Sequence, residues 1–273
     1  MTIAFIGGGN MGIALIGGMI GRGRAAEDFV VVEPSVSQRA TLEGRFPGLR
    51  AFEAATRDAL AEASLVVLAV KPQQMRAACT SVAPFVHAVP AVLSIAAGTH
   101  CADIARWLGG YARIVRAMPN TPAMVGAGIS GVYAGPDVDV AGRAAATAVL
   151  EAAGEVLWCA REEALDAVTG VSASGPAYVF YFLEALEQAA LELGFAEADA
   201  RRLAYATFAG SVKLAQASSL DPATLRAQVT SKGGTTERGV ATLDAGSVRQ
   251  TFIDAVKAAA ARAQELGAAS GKD

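Results

Sequence analysis

The first half of the chain alternates short apolar, β-branched runs with stretches of helical length. The runs are Thr2–Ile6, Phe29–Glu33, Leu65–Val70, Ala91–Ile95, Arg113–Ala117, Ile129–Tyr133 and Val156–Cys159. Several are nearly continuous in apolar residues, which is how strands buried on both faces read. Strand–helix alternation predicts right-handed crossovers and a doubly wound parallel sheet, an α/β architecture. After about Cys159 the texture changes. Apolar positions then recur at helical spacing, as at Val179, Phe182, Leu183, Leu186, Ala190 and Leu193. Gly194 is expected to end that helix, and Gly210 to sit inside a later one. The pattern divides the chain into an α/β domain at 1–162 and an all-helical domain at 163–273. A helical domain of about 110 residues with this much apolar surface often completes its core by dimerising. Ser174 is expected to cap the helix that follows it, with Pro176 in the first turn, and residues 268–273 to fray.

Composition narrows the classes of function. Apolar residues make up 53% of the 273, and the net charge is only −3. That balance gives no electrostatic case for a nucleic-acid partner or an anionic membrane surface. No apolar stretch of about 18 residues escapes Gly or charge, so no membrane span is expected. The start Met1-Thr2-Ile3-Ala4-Phe5 lacks a basic region and enters a strand pattern directly, unlike a secretory signal. Cys79, Cys101 and Cys159 are odd in number and far apart, with only His87 and His100 beside them. Neither a disulfide framework nor a metal site follows, and a reduced, cytoplasmic setting is expected.

Candidate chemistry begins at the first strand–helix turn. Gly7, Gly9 and Gly12 have the G-x-G-x-x-G spacing directly after a strand and at the start of a helix. The first glycine suits a tight turn, the second lets backbone approach a pyrophosphate, and the third lets helix and strand pack closely. The anion would meet free N–H groups at the helix N-terminus. The motif alone would also suit a plain glycine-rich turn, but between this strand and this helix it reads as a Rossmann-type dinucleotide-binding turn. Glu33, closing the second strand, is placed to accept hydrogen bonds from an adenosine ribose, which favours NADH. Ser35 and Arg39 follow closely, and either could meet a 2′-phosphate instead, although Arg39 also reads as an ordinary solvated helix residue. Lys71 follows a buried strand, where open α/β sheets place their ligand crevice, and Ala96-Ala97-Gly98 closes the next strand with small residues. The prolines of Met118-Pro119-Asn120-Thr121-Pro122 stiffen a further loop there. Late in the chain, Ser231-Lys232-Gly233-Gly234-Thr235-Thr236 puts paired glycines and hydroxyls at a helix start. That reads equally as an N–H-lined nest for a small carboxylate or as a plain flexible helix start.

Taken together and in this order, these segments resemble pyrroline-5-carboxylate reductase, the last enzyme of proline synthesis. The resemblance covers nearly the whole chain. It rests on the Gly7–Gly12 loop with Asn10-Met11, on Ala69-Val70-Lys71-Pro72-Gln73, on Met118–Pro122, on Ser174-Gly175-Pro176-Ala177-Tyr178, and above all on Thr230–Thr236. It implies reduction of 1-pyrroline-5-carboxylate to L-proline by NADPH, or by NADH. It also implies a homodimer interleaved through the helical domain, with higher assemblies such as five dimers occurring in the family. Gly7, Gly9, Asn10, Met11, Gly12, Ser35, Ala69, Lys71, Pro72 and Ala97 would contact the cofactor. Ser231, Gly234, Thr235 and Thr236 would hold the substrate carboxylate and ring nitrogen, with Glu162 nearby. Two departures stand out. Lys232 replaces a frequent proline, and Ser218-Ser219 replaces an acidic residue that many members carry before the equivalent of Pro222.

The expected mechanism is orientation of an electrophilic cyclic imine, with Thr236 hydrogen-bonded to the ring nitrogen and no His, Cys or metal required. A β-hydroxyacid reductase of the same plan would instead need a general acid from the helical domain. Lys213 and Lys257 are the candidates, and neither lies in a ligand-type segment. A non-catalytic dinucleotide sensor would leave the late nest without a purpose.

Overall fold

The structure, a computed structural model, describes residues 2–270. Met1 and residues 271–273, the tip of the segment expected to fray, lie outside the described residues. Eight strands form one sheet: β1 (Thr2–Ile6), β2 (Phe29–Val32), β3 (Arg50–Phe52), β4 (Ala63–Leu68), β5 (Val92–Ser94), β6 (Ile114–Met118), β7 (Gly128–Ala134) and β8 (Gly154–Trp158). The helices are α1 (Asn10–Gly21), α2 (Val36–Arg45), α3 (Arg57–Leu60), α4 (Met75–Val82), α5 (Cys101–Trp107), α6 (Val140–Glu151) and α7 (Ala164–Val168), then α8 (Gly175–Glu192), α9 (Glu197–Ala217), α10 (Pro222–Gln228), α11 (Thr235–Ala245) and α12 (Val248–Ser270).

The strand order is β3-β2-β1-β4-β5-β6-β7-β8. Order reverses between β1 and β4, the switch point outside which α/β folds bind their ligands. The expected doubly wound sheet is present, with one refinement. β7 pairs antiparallel with β6, so β7 and β8 run against the other six strands. The cause is the connection, because no long crossover helix joins β6 to β7. β3 is an edge strand of three residues that hydrophobic patterning did not reveal, its first residue Arg50 being exposed.

Strand alternation splits the core in two. Ile3, Phe5, Val31, Leu65 and Val67 face Leu15, Ile16, Leu42 and Val149 from α1, α2 and α6. Ala4, Ile6, Val30, Val66 and Leu68 face Met75, Cys79 and Ile104 from α4 and α5. Full burial of aliphatic side chains on both faces stabilises by roughly 1.5–3 kcal/mol each, which is why these strands carry no charged residue and keep their polar ones, Thr2 and Ser64, near their starts.

The chain forms two compact units. One comprises residues 1–174 with 258–273, and the other 175–257. The end of strand texture near 162 and this division by compactness are separate markers, since α7 and the turn after it belong to the first unit. The second unit is all helix, and its only buried residues are Ala190, Ala200 and Ala204. Gly194 closes α8 with φ +95°, as the pattern predicts, and Gly210 lies within α9. Two local expectations are corrected. Ser174 does not act as a conventional N-cap. It is itself helical (φ −82°, ψ −21°), and its N–H bonds to Thr169 O across a π-type turn at Thr169–Ala173. Residues 268–270, expected at the frayed end, are instead the last residues of α12, which continues through Ser270.

Helix α1 lies so close to the end of α6 that a Cβ at Gly18 would sit 2.2 Å from Ala152 O. Alanine there would gain about 1 kcal/mol of helix propensity and lose about 1–3 kcal/mol to overpacking. Gly18→Ala should therefore lower the melting temperature by several degrees in a thermal scan, whereas Gly21→Ala, with open space around it, should not.

Candidate active site

The glycine turn after β1 is built by backbone. Gly7 has φ +98°, its N–H bonds to Val32 O, and a Cβ there would lie 2.7 Å from Ala69 O. No side chain but hydrogen fits, so Gly7 lets β1 end in a turn pressed against the end of β4. Gly12 is buried, and its Cβ position lies 3.3 Å from Gly7 O. Gly9 is the exposed N-cap of α1 in extended conformation, with no side-chain cap and nothing near its Cβ position. The first amides of α1, at Asn10, Met11 and Gly12, therefore have no intrahelical acceptor, and Asn10 at their head is exposed. A cleft of about 590 Å³ opens beside them, lined by Gly7, Gly9, Glu33, Pro34, Ala69 and Lys71 among others. This combination of small cradle, bare helix N-terminus and long cleft fits a dinucleotide pyrophosphate.

The structure thus brings Gly7, Gly9, Ala69 and Lys71 to one cleft, while Asn10, Met11 and Gly12 form the first turn of α1 and are not among its lining residues. Lys71 is exposed, and Pro72 begins the short turn after it. Ser35 caps α2, accepting from Gln38 N–H at 3.3 Å, and its hydroxyl lies 3.1 Å from that of Ser37. Ala97 is exposed in the loop after β5. Arg39 is not free in solvent. Its guanidinium donates to the carbonyls of Glu33 at 2.7 Å and Pro34 at 2.9 Å. The Glu33 carboxylate accepts N–H bonds from Gly8 and Ser35, both at 3.0 Å.

Glu162 sits in a buried polar knot. Its Oε1 lies 2.6 Å from the Arg116 guanidinium, 2.7 Å from Cys101 N–H and 3.6 Å from His100 Nδ1. Burial alone would push this carboxyl up, but the bonds from Arg116 and Cys101 outweigh it and hold Glu162 below its ordinary value. Arg116 was not singled out from sequence, although a lone charge inside Ile114-Val115-Arg116-Ala117-Met118 is the signal that could have found it. Asn120, also missed, accepts Ile129 N–H at 3.0 Å and donates to Ser172 Oγ at 3.2 Å, pinning the proline loop. Burial pushes the thiols of Cys79 and Cys101 up to about 12, the Glu162 charge adding to the effect at Cys101, so neither is a nucleophile at neutral pH. No group of His, Cys, Asp and Glu among the described residues has the arrangement of a metal site, and no described helix is long and apolar enough to cross a membrane.

In the second unit, Gly233 turns with φ +74° and Gly234 caps α11 in extended conformation without a side-chain cap. Ser231 Oγ lies over Gly234, where a Cβ would come within 2.5 Å of it. Thr235 and Thr236 open the helix, exposed, with their amides in the acceptor-free first turn. The Glu237 carboxylate, also overlooked in the sequence, takes Gly233 N–H at 2.6 Å, closing the loop in the manner of a capping box.

Residues 162–266 match the family described as pyrroline-5-carboxylate reductase dimerisation, and residues 2–98 match that described as NADP oxidoreductase coenzyme F420-dependent. The chain is 41% identical over 264 residues to pyrroline-5-carboxylate reductase of Pseudomonas aeruginosa, covering 97% of this chain and 96% of that one. The chain belongs to the pyrroline-5-carboxylate reductase family. It is an oxidoreductase of the NAD(P)H-using kind, and it reduces pyrroline-5-carboxylate to proline. The Escherichia coli reductase is 36% identical over 265 residues, with 97% of both chains covered. Among solved structures, the pyrroline-5-carboxylate reductase of Coxiella burnetii superposes with a TM-score of 0.90 at 36% identity, covering 97% of this chain and 98% of that one. The NADP-bound Plasmodium falciparum pyrroline carboxylate reductase follows with 0.86 at 25% identity, covering 98% of both.

The knot makes a stability prediction for this reductase. Glu162→Ala leaves the Arg116 guanidinium buried without its partner and should cost about 3 kcal/mol in chemical denaturation. The native Glu162 carboxyl titrates below its unfolded value, so its contribution is present at neutral pH and is lost as pH falls through the lowered native value. The difference between wild type and Glu162→Gln should accordingly shrink in acid.

Proposed function

We propose that this reductase uses NADPH, working as a cytoplasmic homodimer assembled through its helical part. The observation that carries the substrate reading is the start of α11. A turn at Gly233-Gly234 leads into a bare helix N-terminus flanked by the Ser231, Thr235 and Thr236 hydroxyls. Amides in that position attract a carboxylate, and the hydroxyls supply short donors that adapt to its oxygens. In the proposal Ser231, Gly234 and Thr235 hold the substrate carboxylate, and Thr236 Oγ hydrogen-bonds the ring nitrogen.

The chemistry asks little else of the protein. A protonated cyclic imine is already electrophilic, so the gain comes from holding it in one orientation. When bound, the reduced nicotinamide supplies the hydride that the C=N carbon accepts. Gly7, Gly9, Asn10, Met11 and Gly12 would hold the pyrophosphate, and Ala69, Lys71, Pro72 and Ala97 would line the rest of the cofactor's course. For Glu162 we assign a supporting role. It fixes the N-terminus of α5, and with it the Ala97 loop just before that helix.

The preference for NADPH is supported by the start of α2. Ser35 and Ser37 present exposed hydroxyls at a helix N-terminus, a suitable setting for a 2′-phosphate. The homodimer is supported by the thin core of the second unit. Tyr181 is 69% exposed, Leu193 80% and Leu214 60%, far more apolar surface than a lone helical unit leaves to water.

Two measurements test these roles. Thr236→Ala should lower kcat/KM for pyrroline-5-carboxylate roughly tenfold, about 1–3 kcal/mol for one polar contact, in an assay of imine-dependent NADPH oxidation. Unchanged kcat/KM would remove Thr236 from the mechanism. Gly9→Asp meets no steric obstacle and places a good capping residue at the N-cap. It should keep the melting temperature while weakening NADPH and NADH binding at least about tenfold, through charge repulsion at the pyrophosphate.

A further inference from the structure

Gly8, between the two cofactor glycines, is buried and held on both of its polar groups by side chains from elsewhere. Its N–H donates to Glu33 Oε2 at 3.0 Å, and its carbonyl accepts from Gln38 Nε2 at 2.5 Å. The other Glu33 oxygen accepts Ser35 N–H at 3.0 Å. The Glu33 and Pro34 carbonyls are taken in turn by Arg39. A Cβ at Gly8 would lie 2.5 Å from Leu42 Cδ1, so the loop also rests directly on α2.

We infer that Glu33, just after β2, and Gln38, on α2, are positioning residues that brace the glycine turn, and that Glu33 does not act as a ribose ligand selecting NADH. The inference rests on the dinucleotide site proposed above. The physical argument concerns the Gly8 amide. If Glu33 swung outward to a ribose hydroxyl, that buried N–H would lose its acceptor, and a buried donor left unpaired is costly. The carboxylate is therefore held by the loop it supports. Gln38 adds the second half of the brace, since an amide side chain can donate to a carbonyl where a carboxylate cannot. The brace ties the pyrophosphate turn to the same helix whose first residues, Ser35 and Ser37, would meet the adenosine end. Order at one end of the dinucleotide then supports order at the other, whichever nucleotide is bound.

The two roles of Glu33 predict different selectivities. A ribose ligand contributes to NADH and repels a 2′-phosphate, whereas a brace contributes equally to both. Dissociation constants for NADPH and NADH should be measured by titration calorimetry on wild type, Glu33→Ala and Gln38→Ala, with thermal melts alongside. Gln38→Ala substitutes a strong helix former on α2 and leaves Glu33 in place, so it tests the brace even if Glu33→Ala folds poorly. Both variants should weaken both nucleotides about fivefold, with the NADPH-to-NADH ratio staying within about twofold of wild type, as expected for lost preorganisation. A shift of that ratio by about tenfold toward NADPH in Glu33→Ala would overturn the inference, as would wild-type binding of both nucleotides by either variant. Gly9→Asp separates the two levels of the argument. Undiminished binding in that variant defeats the cofactor site itself, while its loss beside unchanged Gln38→Ala defeats only the brace.

Discussion

Everything at the cofactor end depends on a close approach of two stretches of backbone. The peptide after β1 can turn beneath the end of β4 only because Gly7 carries no side chain, its Cβ position being 2.7 Å from Ala69 O. That contact lets α1 start within three residues, beside the β1/β4 switch point. Larger residues would push the turn outward and fill the cleft with side chains. The hydrogen bonds of Gly8 to Glu33 and Gln38 then hold the turn from the other side. The cradle is a product of missing atoms as much as of present ones.

Much of this was legible in the residues. Seven of the eight strands announced themselves as short β-branched apolar runs, most clearly where burial is double-sided, and Leu65–Leu68 could hardly be read otherwise. The Gly7–Gly12 spacing has a backbone rationale that any chain must obey. β3 escaped because an edge strand of three residues carries no double-sided pattern. The reversal at β7 escaped because strand direction is set by the connection, and the proline loop gave no sign of which way the chain would return. Ser174 misled because the same residue types that cap helices also fit a π-type turn within a helical run.

The site was legible by type and less so by partner. Glu33 could be placed at the end of β2, but only folding shows its carboxylate turned toward Gly8 and Ser35. Arg39 looked like a solvated helix residue, yet it serves the carbonyls of Glu33 and Pro34. Glu162 was placed near substrate by resemblance, while its strongest attachments are to Arg116 and the amide of Cys101. For Glu33 and Glu162 the deciding partners are distant in sequence, and for Arg39 they lie back across the helix start; hydrophobic pattern reports neither.

The two compact units are not consecutive along the chain. Residues 175–257 interrupt the first unit, which regains 258–273 only at the end of α12. Gly267 lies against Gly98 and His100, where a Cβ on it would come within 2.8 Å of His100 Nε2. On the ribosome, the loop carrying Ala97 emerges long before Gly267 is synthesised. The contact between them therefore forms only after residues 175–257 have been made. Closing the first unit is thus a non-local step: its two stretches meet only by bridging the 83 residues from 175 to 257, a loop-closure cost that the rest of its sheet does not carry.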